Sequence, residues 1–376
     1  MAQRSTIPGA ATYEAAGVDY TTLDEGKRSA IAMALSTSSL LAARGGHALD
    51  RSRGEPAFVF ELDGRSLAFV VEGLGTKSVV ARQVLETQSV NRFADVAYDT
   101  VAAILNDLCC VGALPLVVSA YFATGTSRWY EHPTRAQALL EGWRRACQDA
   151  GCAWGGGESP SLAGLVDERD IELAGAAVGA VPTGRSPILG DALAAGDEIV
   201  LLASSGMHAN GASLARLVAG RLPEGYATAL PSGRTLGEAL LDPSIMYVAF
   251  VQKLLERQLP VSYMSHITGH GLLKLMRPPD ALTYRIRELP PVPEALALLV
   301  RESKLDARAA YSTFNMGCGY AVYCRAGSAG EVVQAAREAG LQAILAGGVE
   351  EGPRRVIVEP LGVTYESGEL NFSGSA

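Results

Sequence analysis

The chain has 376 residues, a net charge of −8, 48% hydrophobic and 19% charged residues. That length exceeds one ordinary core and predicts two domains, and the hydrophobic fraction excludes a disordered chain. The acidic balance, with no basic block, excludes the electrostatic footprint of a nucleic-acid binder, whereas backbone amides or a bound cation can still hold phosphate.

No apolar run reaches the roughly 18–20 residues of a membrane span, and the N-terminus lacks a signal-like apolar stretch. The six cysteines include an adjacent pair, Cys109 and Cys110, and no CxxC pair. They read as reduced, mostly buried thiols of a cytoplasmic protein rather than a disulfide framework.

In chain order, residues 1–12 read as a loose tail, and 22–43 as a helix stopped by Gly45-Gly46. Runs 58–62 and 66–72, split by Asp63-Gly64, predict a β-hairpin. Residues 96–111 predict a buried helix, 114–123 a strand, 134–150 a helix ended by Gly151, and 171–181 a strand. The Pro- and Gly-rich stretch 182–196 is the expected domain boundary, giving domains over 13–182 and 183–376. Beyond it, 198–203 predicts a strand and 211–219, 236–257 and 272–276 helices. Turns surround 282–289; 319–324 reads as a strand, 330–339 as a helix and 356–359 as a closing strand. Strands and helices mix in both halves with no fixed-period repeat, so the fold class is α+β or α/β.

Several local patterns carry chemistry. Glu72-Gly73-Leu74-Gly75-Thr76-Lys77 follows a strand. Its glycines allow close backbone approach to a ligand, and Lys77 offers charge to a phosphate. The spacing is not that of a Walker A loop, and a plain glycine turn is the alternative. Asp99 and Asp107 lie two helical turns apart in an apolar segment, with Asn106 beside them. Carboxylates there need a partner or a metal. With Glu72 they form a candidate Mg²⁺ set, the alternative being capping or ion pairing.

Gly155-Gly156-Gly157-Glu158 reads as a flexible turn ending in an acid, either a close backbone approach to a ligand or a simple loop. The turn running from Ser204 through Ser205, Gly206, His208, Asn210 and Ser213 suits an anion at a helix start. There His208 is a phosphate donor, a proton carrier or merely a cap. His266 and His270 do not make a zinc site, because Gly269 and Gly271 break the helix that would align them. Cys318 as a nucleophile lacks an identifiable base.

Taken together, the motifs YEAAGVDY, GLGTK, YDTVAAILNDL, GALPLVVSAYFATG, GGGES, GDEIVLLASSGMHANGASLAR, LDPSIMYV, HITGHG and FNMGCGY occur in one order along residues 13–359. This set resembles the aminoimidazole ribonucleotide synthetase family, the phosphoribosylformylglycinamidine cyclo-ligases of purine biosynthesis. The resemblance implies an N-terminal α+β domain whose sheet forms a barrel with a second subunit, a C-terminal α/β domain, and a homodimer. It implies ATP and Mg²⁺ as cofactors and a phosphoribosyl small molecule as substrate. Phosphorylation of a formyl amide oxygen would make it a leaving group for ring closure.

Carried over, Glu72, Gly73, Gly75, Thr76, Lys77, Asp99, Asn106 and Asp107 would hold the nucleotide, with Glu72 and Asp107 on the metal. Glu158, Ser205, Gly206, His208, Asn210 and Ser213 would take the substrate. Lys77, Asp107, Glu158 and His208 would be catalytic. Four places depart from the family pattern: Glu72 stands for a usual aspartate, and His270 for a usual glycine. Arg44-Gly45-Gly46-His47 stands for a richer glycine loop, and Ser159-Pro160-Ser161-Leu162-Ala163-Gly164 for a polar stretch ending in Met-Pro-Gly. Two other readings are a same-fold enzyme phosphorylating a different small molecule and a non-catalytic nucleotide-binding subunit.

Overall fold

The computed structural model describes residues 20–370. The tail expected over 1–12 and the first motif, up to Asp19, lie outside them. A helix α1 (Tyr20–Leu35) and a separate 3₁₀ turn (Ser38–Arg44) replace the single helix expected over 22–43. Gly45, at φ 78, closes that turn.

Six strands form the first sheet: β1 (Gly46–Ala48), β2 (Phe58–Leu62), β3 (Arg65–Gly73), β4 (Leu114–Thr124), β5 (Ala153–Glu158) and β6 (Ile171–Ala180). Their order is β1-β2-β3-β6-β4-β5, antiparallel except for the parallel β4–β5 pair. Asp63 and Gly64 both take positive φ, 50° and 71°, and make the tight turn of the β2–β3 hairpin as expected. Burial along β6 alternates strictly. Its inner face carries Leu173, Gly175, Ala177 and Gly179, against which α3 (Phe93–Cys109) packs. A Cβ on Gly175 would lie 2.9 Å from the Ile104 side chain, and one on Gly179 would lie 2.6 Å from Leu108, so these glycines let the helix settle on the sheet. α4 (Pro133–Ala150) covers α3, and its buried Trp143 meets Phe122 of β4 edge-on at 5.1 Å.

The glycine-rich stretch before Glu158 is not a turn. It is the edge strand β5, and a Cβ on Gly157 would meet the Ala120 carbonyl oxygen at 2.0 Å. Its glycines serve strand packing at that contact.

The second sheet takes β7 (Glu198–Ala203), β8 (Val261–His266), β9 (Leu282–Ile286), β10 (Cys318–Cys324), β11 (Ala343–Glu351), β12 (Arg355–Val358) and β13 (Val363–Glu366). The order is β13-β12-β9-β11-β7-β10-β8, antiparallel apart from β12–β9. All seven residues of β10 are buried. Around this sheet lie α5 (Ala212–Ala219), α6 (Leu236–Leu240), α7 (Val248–Glu256), α8 (Glu294–Ser303), α9 (Ala307–Thr313) and α10 (Ala329–Glu338). The helix expected over 236–257 is two helices, broken at residues 241–247. Pro243 cannot donate a helical bond, and neighbouring amides are taken by side chains of the first domain. The segment 272–276 is a 3₁₀ turn (Gly271–Met276), and the strand expected last, β12, is followed by β13.

Two helical glycines provide a test of the packing. A Cβ on Gly142 of α4 would sit 1.9 Å from the Ala94 carbonyl oxygen, whereas one on Gly330 of α10 meets nothing within 4 Å. Gly142→Ala is expected to destabilise by about 1–3 kcal/mol through overpacking, and Gly330→Ala to stabilise by about 0.4–1 kcal/mol. Urea denaturation of both variants checks the pair, and equal effects would contradict the α3–α4 contact.

Candidate functional site

α2 (Lys77–Gln88) starts directly after the 73–76 loop, and Lys77 at its first position turns into the molecule rather than toward solvent. Its Nζ is 2.5 Å from Asp99 Oδ2 and donates to the carbonyl oxygens of His208 at 2.8 Å and Asp242 at 3.3 Å. Three acceptors match the three protons of an ammonium. Both side chains of the pair are 0% exposed. Burial pushes the Asp99 carboxyl up, with the Lys77 charge acting in the opposite direction. Asp99 Oδ1 accepts from the Ser244 amide at 2.6 Å. One helical face further, Asn106 Oδ1 accepts from the Tyr247 amide at 2.8 Å while its Nδ2 donates to the Ile245 carbonyl at 2.8 Å. Lys77, Asp99 and Asn106, expected around a nucleotide, therefore clamp residues 242–247 of the second domain onto α3. Thr76 and Ser213 add a hydroxyl–hydroxyl bond across the same junction at 3.0 Å.

Asp107, one residue beyond Asn106, faces a different group of side chains. Its Oδ1 is 2.6 Å from His266 Nδ1 at the end of β8. Burial alone would raise its carboxyl. The hydrogen bond and charge of His266, then the charges of Lys274 and Arg277, outweigh burial and hold it below the usual carboxylate range. Glu72, near the end of β3, is pushed up to about 7, first by burial and next by the Asp107 charge, with Lys274 drawing it down. Lys274, whose Nζ donates to Thr268 Oγ1, is itself lowered to about 8, chiefly by burial and then by Arg277. Two carboxylates from one domain thus face a histidine and two cations from the other.

The expected substrate turn is held from beneath. Asn315 Nδ2 donates to the carbonyls of Gly206 and Met207 at 2.9 and 3.2 Å, and Ser204 Oγ is 3.0 Å from Asn315 Oδ1. His208 is 2% exposed, with φ 58, and its Nε2 accepts from the Ser205 amide at 3.2 Å. Burial pushes the imidazole well below its usual range, so it is neutral with its proton on Nδ1. Gly211, at φ 101, starts α5, where a Cβ would strike the Phe314 ring at 2.6 Å. Ser205 is exposed, its Oγ donating to Pro243 O at 2.7 Å, and Asn210 and Ser213 are partly exposed beside it.

Glu158 stands apart. Register runs from Glu72 through Gly175 and Ala120 to Gly157, so Glu158 lies three strands from Glu72, about 14 Å at normal strand spacing. It also points to the sheet face opposite Glu72, the face of Tyr121, its partner in the register.

Sequence reasoning overlooked His266 as a partner of Asp107, and overlooked Lys274 and Arg277 altogether. The available signal was two cations three residues apart in an otherwise apolar segment directly after the histidine motif. No three His, Cys, Asp or Glu side chains converge as a metal set among the described residues. A cavity of about 280 Å³ between Pro290-Pro291 and Ile344 and one of about 380 Å³ beside Pro231 share no lining residue with this cluster.

The buried pair supplies a direct test. Lys77→Met or Asp99→Leu alone is expected to cost about 3–5 kcal/mol by stranding a buried charge, and the double variant to recover much of that loss. Denaturant unfolding of the three variants reads this, and additive single losses would contradict a dedicated pair.

Two family models match the chain: "AIR synthase related protein, N-terminal domain" over residues 54–181 and "AIR synthase related protein, C-terminal domain" over residues 194–359. A phosphoribosylformylglycinamidine cyclo-ligase from Carboxydothermus hydrogenoformans is 32% identical over 363 residues, covering 92% of this chain and 98% of that protein. One from Anaeromyxobacter sp. (strain K) is 36% identical over 285 residues, covering 75% and 79%. Among solved structures, the hydrogenase maturation protein HypE in complex with ATP shares the fold, with TM-score 0.56 at 17% identity over 79% of this chain and 83% of that one. The chain belongs to the AIR synthase related family, in which these curated relatives are phosphoribosylformylglycinamidine cyclo-ligases.

Proposed function

We propose that the protein is an ATP-dependent cyclo-ligase that closes formylglycinamidine ribonucleotide to aminoimidazole ribonucleotide. The observation that carries the reading is the interdomain cluster of Glu72, Asp107, His266 and Lys274, in a chain aligned over almost its whole length with a cyclo-ligase. The fold it shares with a protein solved in complex with ATP supports nucleotide use.

Glu72 and Asp107 fit a magnesium ion. Two adjacent carboxylates, one pushed up first by burial and then by the other's charge, are the kind of oxygen donors that Mg²⁺ takes together with substrate phosphates. When bound, the ion would neutralise charge on the transferring phosphate. The chain's own residues do the remaining work. His266 fixes the Asp107 carboxylate, and Lys274 and Arg277 offer cations to anionic substrate groups. The 204–213 turn presents its exposed Ser205 and the partly exposed Asn210 and Ser213 to the phosphoribosyl group. Transfer of a phosphoryl group to the formyl amide oxygen converts a poor leaving group into phosphate. The amidine nitrogen can then close the ring, with positioning and charge neutralisation supplying the catalysis. Lys77, Asp99, Asn106 and the buried His208 act by positioning, because their polar groups are turned into the junction and away from solvent.

The same reading includes a homodimer. The outer face of the first sheet exposes Phe69 at 40%, Val71 at 62% and Leu116 at 53%, beside Ala176 and Val178 of β6. An apolar sheet face of this kind is what a second copy would cover, and Glu158 points to that side. No helix among the described residues is long and apolar enough to cross a membrane.

Incubation with formylglycinamidine ribonucleotide, ATP and Mg²⁺ is expected to yield ADP and aminoimidazole ribonucleotide together. ATP hydrolysis only with some other acceptor would reassign the substrate. Asp107→Asn should lower turnover on the order of 100-fold even at temperatures where the variant is fully folded, and should also lower the unfolding midpoint because it breaks the buried pair with His266. Undiminished turnover in the folded variant would remove Asp107 from the chemistry. In sedimentation, the native chain should run as two copies and Val71→Asp as one; a native monomer at micromolar concentration would sink the dimer.

A further inference from the structure

At the C-terminus of α4, Gly151 takes φ 67, and its amide reaches the carbonyls of Cys147 and Gln148. The next amide, of Cys152, donates back to the Cys147 carbonyl at 3.0 Å. This paperclip ending brings the side chains before and after the glycine together, a place usually filled by an apolar contact. Here both positions are cysteine, and each thiol acts on the other's titration, Cys147 being pushed up and Cys152 drawn down. Cys147 is buried and Cys152 partly exposed, whereas Cys109, Cys110, Cys318 and Cys324 are each at most 1% exposed. Cys152 immediately precedes β5, an edge strand paired only with β4.

We infer that Cys147 and Cys152 form an oxidisable dithiol, a modification site at which a peroxide makes a reversible disulfide that staples the end of α4 to the start of β5. The inference is independent of the cyclo-ligase reading. The cap hydrogen bond from the Cys152 amide to the Cys147 carbonyl holds the two residues side by side, the placement a disulfide needs. Exposure sets the order of events. The Cys152 thiolate attacks a peroxide oxygen, the O–O bond breaks, and one water leaves after protonation, giving a sulfenic acid on Cys152. The Cys147 sulfur then attacks that sulfur, and the hydroxyl departs as a second water. Two thiols and one peroxide become one disulfide and two waters, with two electrons passing from sulfur to oxygen. The hydrogen bond from Cys147 holds the Cys152 thiol below its ordinary range, which favours the first step.

Treat the native full-length chain with hydrogen peroxide, one equivalent at a time, and map the cysteines by mass spectrometry. The expected product is one bridge per chain, between Cys147 and Cys152, with the other four thiols still free and the bridge reversed by dithiothreitol. Cys147→Ser should instead accumulate a sulfenic acid on Cys152, trapped by a cyclic dione, and Cys152→Ser should form no bridge. Hydrogen exchange of residues 153–158 should slow on oxidation. Survival of both thiols in the folded protein, first oxidation at any other cysteine, or unchanged exchange at β5 in the bridged form would overturn the proposal.

Discussion

Lys77 and Asp99 form a salt bridge with both side chains 0% exposed, and the rest of the site is arranged around it. A charge in such a place is tolerable only if it is paired and hydrogen-bonded. Lys77 meets this requirement by reaching two backbone carbonyls of the second domain, and Asp99 by accepting an amide from it. The pair's hydrogen-bond demand can be met only when the domains are docked. Asn106 extends the same arrangement by a further turn of α3. The cost of burying ions thereby becomes a geometric specification: one helix of the first domain and one unwound segment of the second have a single way to fit.

That specification places the interdomain cluster. Asp107 follows Asn106 on α3, so fixing α3 against residues 242–247 also fixes Asp107 against His266. Glu72 arrives from β3 on the same inner face of the sheet, directly across from Gly175, where a larger residue would displace α3. Lys274 and Arg277 arrive from the 3₁₀ turn that follows His266. Four chain segments from two domains thus converge without any one of them forming a recognisable pocket. Cation and carboxylate groups are balanced across the junction, an arrangement suited to handling phosphate charge.

The exposed outer face and the buried inner face of the first sheet divide the labour of one set of strands. Period-two alternation puts Glu72 inside with the junction and Val71 outside, where it is 62% exposed. The same rule separates Glu158 from the Asp107 cluster within one chain. Residues adjacent in sequence therefore face different surfaces, one at the domain junction and one exposed on the outer side of the sheet.

The sequence by itself determined much of the secondary structure and the family. Asp63-Gly64 demanded a hairpin turn, Gly151 a helix stop, and the Ala/Gly/Val-rich run 171–181 a strand. These outcomes depend on local dihedral preferences and period, which a linear chain displays. Tertiary structure decided the rest, because partners distant in sequence set the outcome. Residues 241–247 are unwound since Asp99 and Asn106, some 140 positions earlier, claim their amides. The glycines before Glu158 form a strand because the β4 backbone lies 2.0 Å from a would-be Cβ. Lys77 appeared as a phosphate ligand from its place in a glycine loop, yet its three acceptors sit 22, 131 and 165 residues away along the chain. Sequence shows which polar groups must find partners in an apolar setting; only the folded contacts show which partners they find.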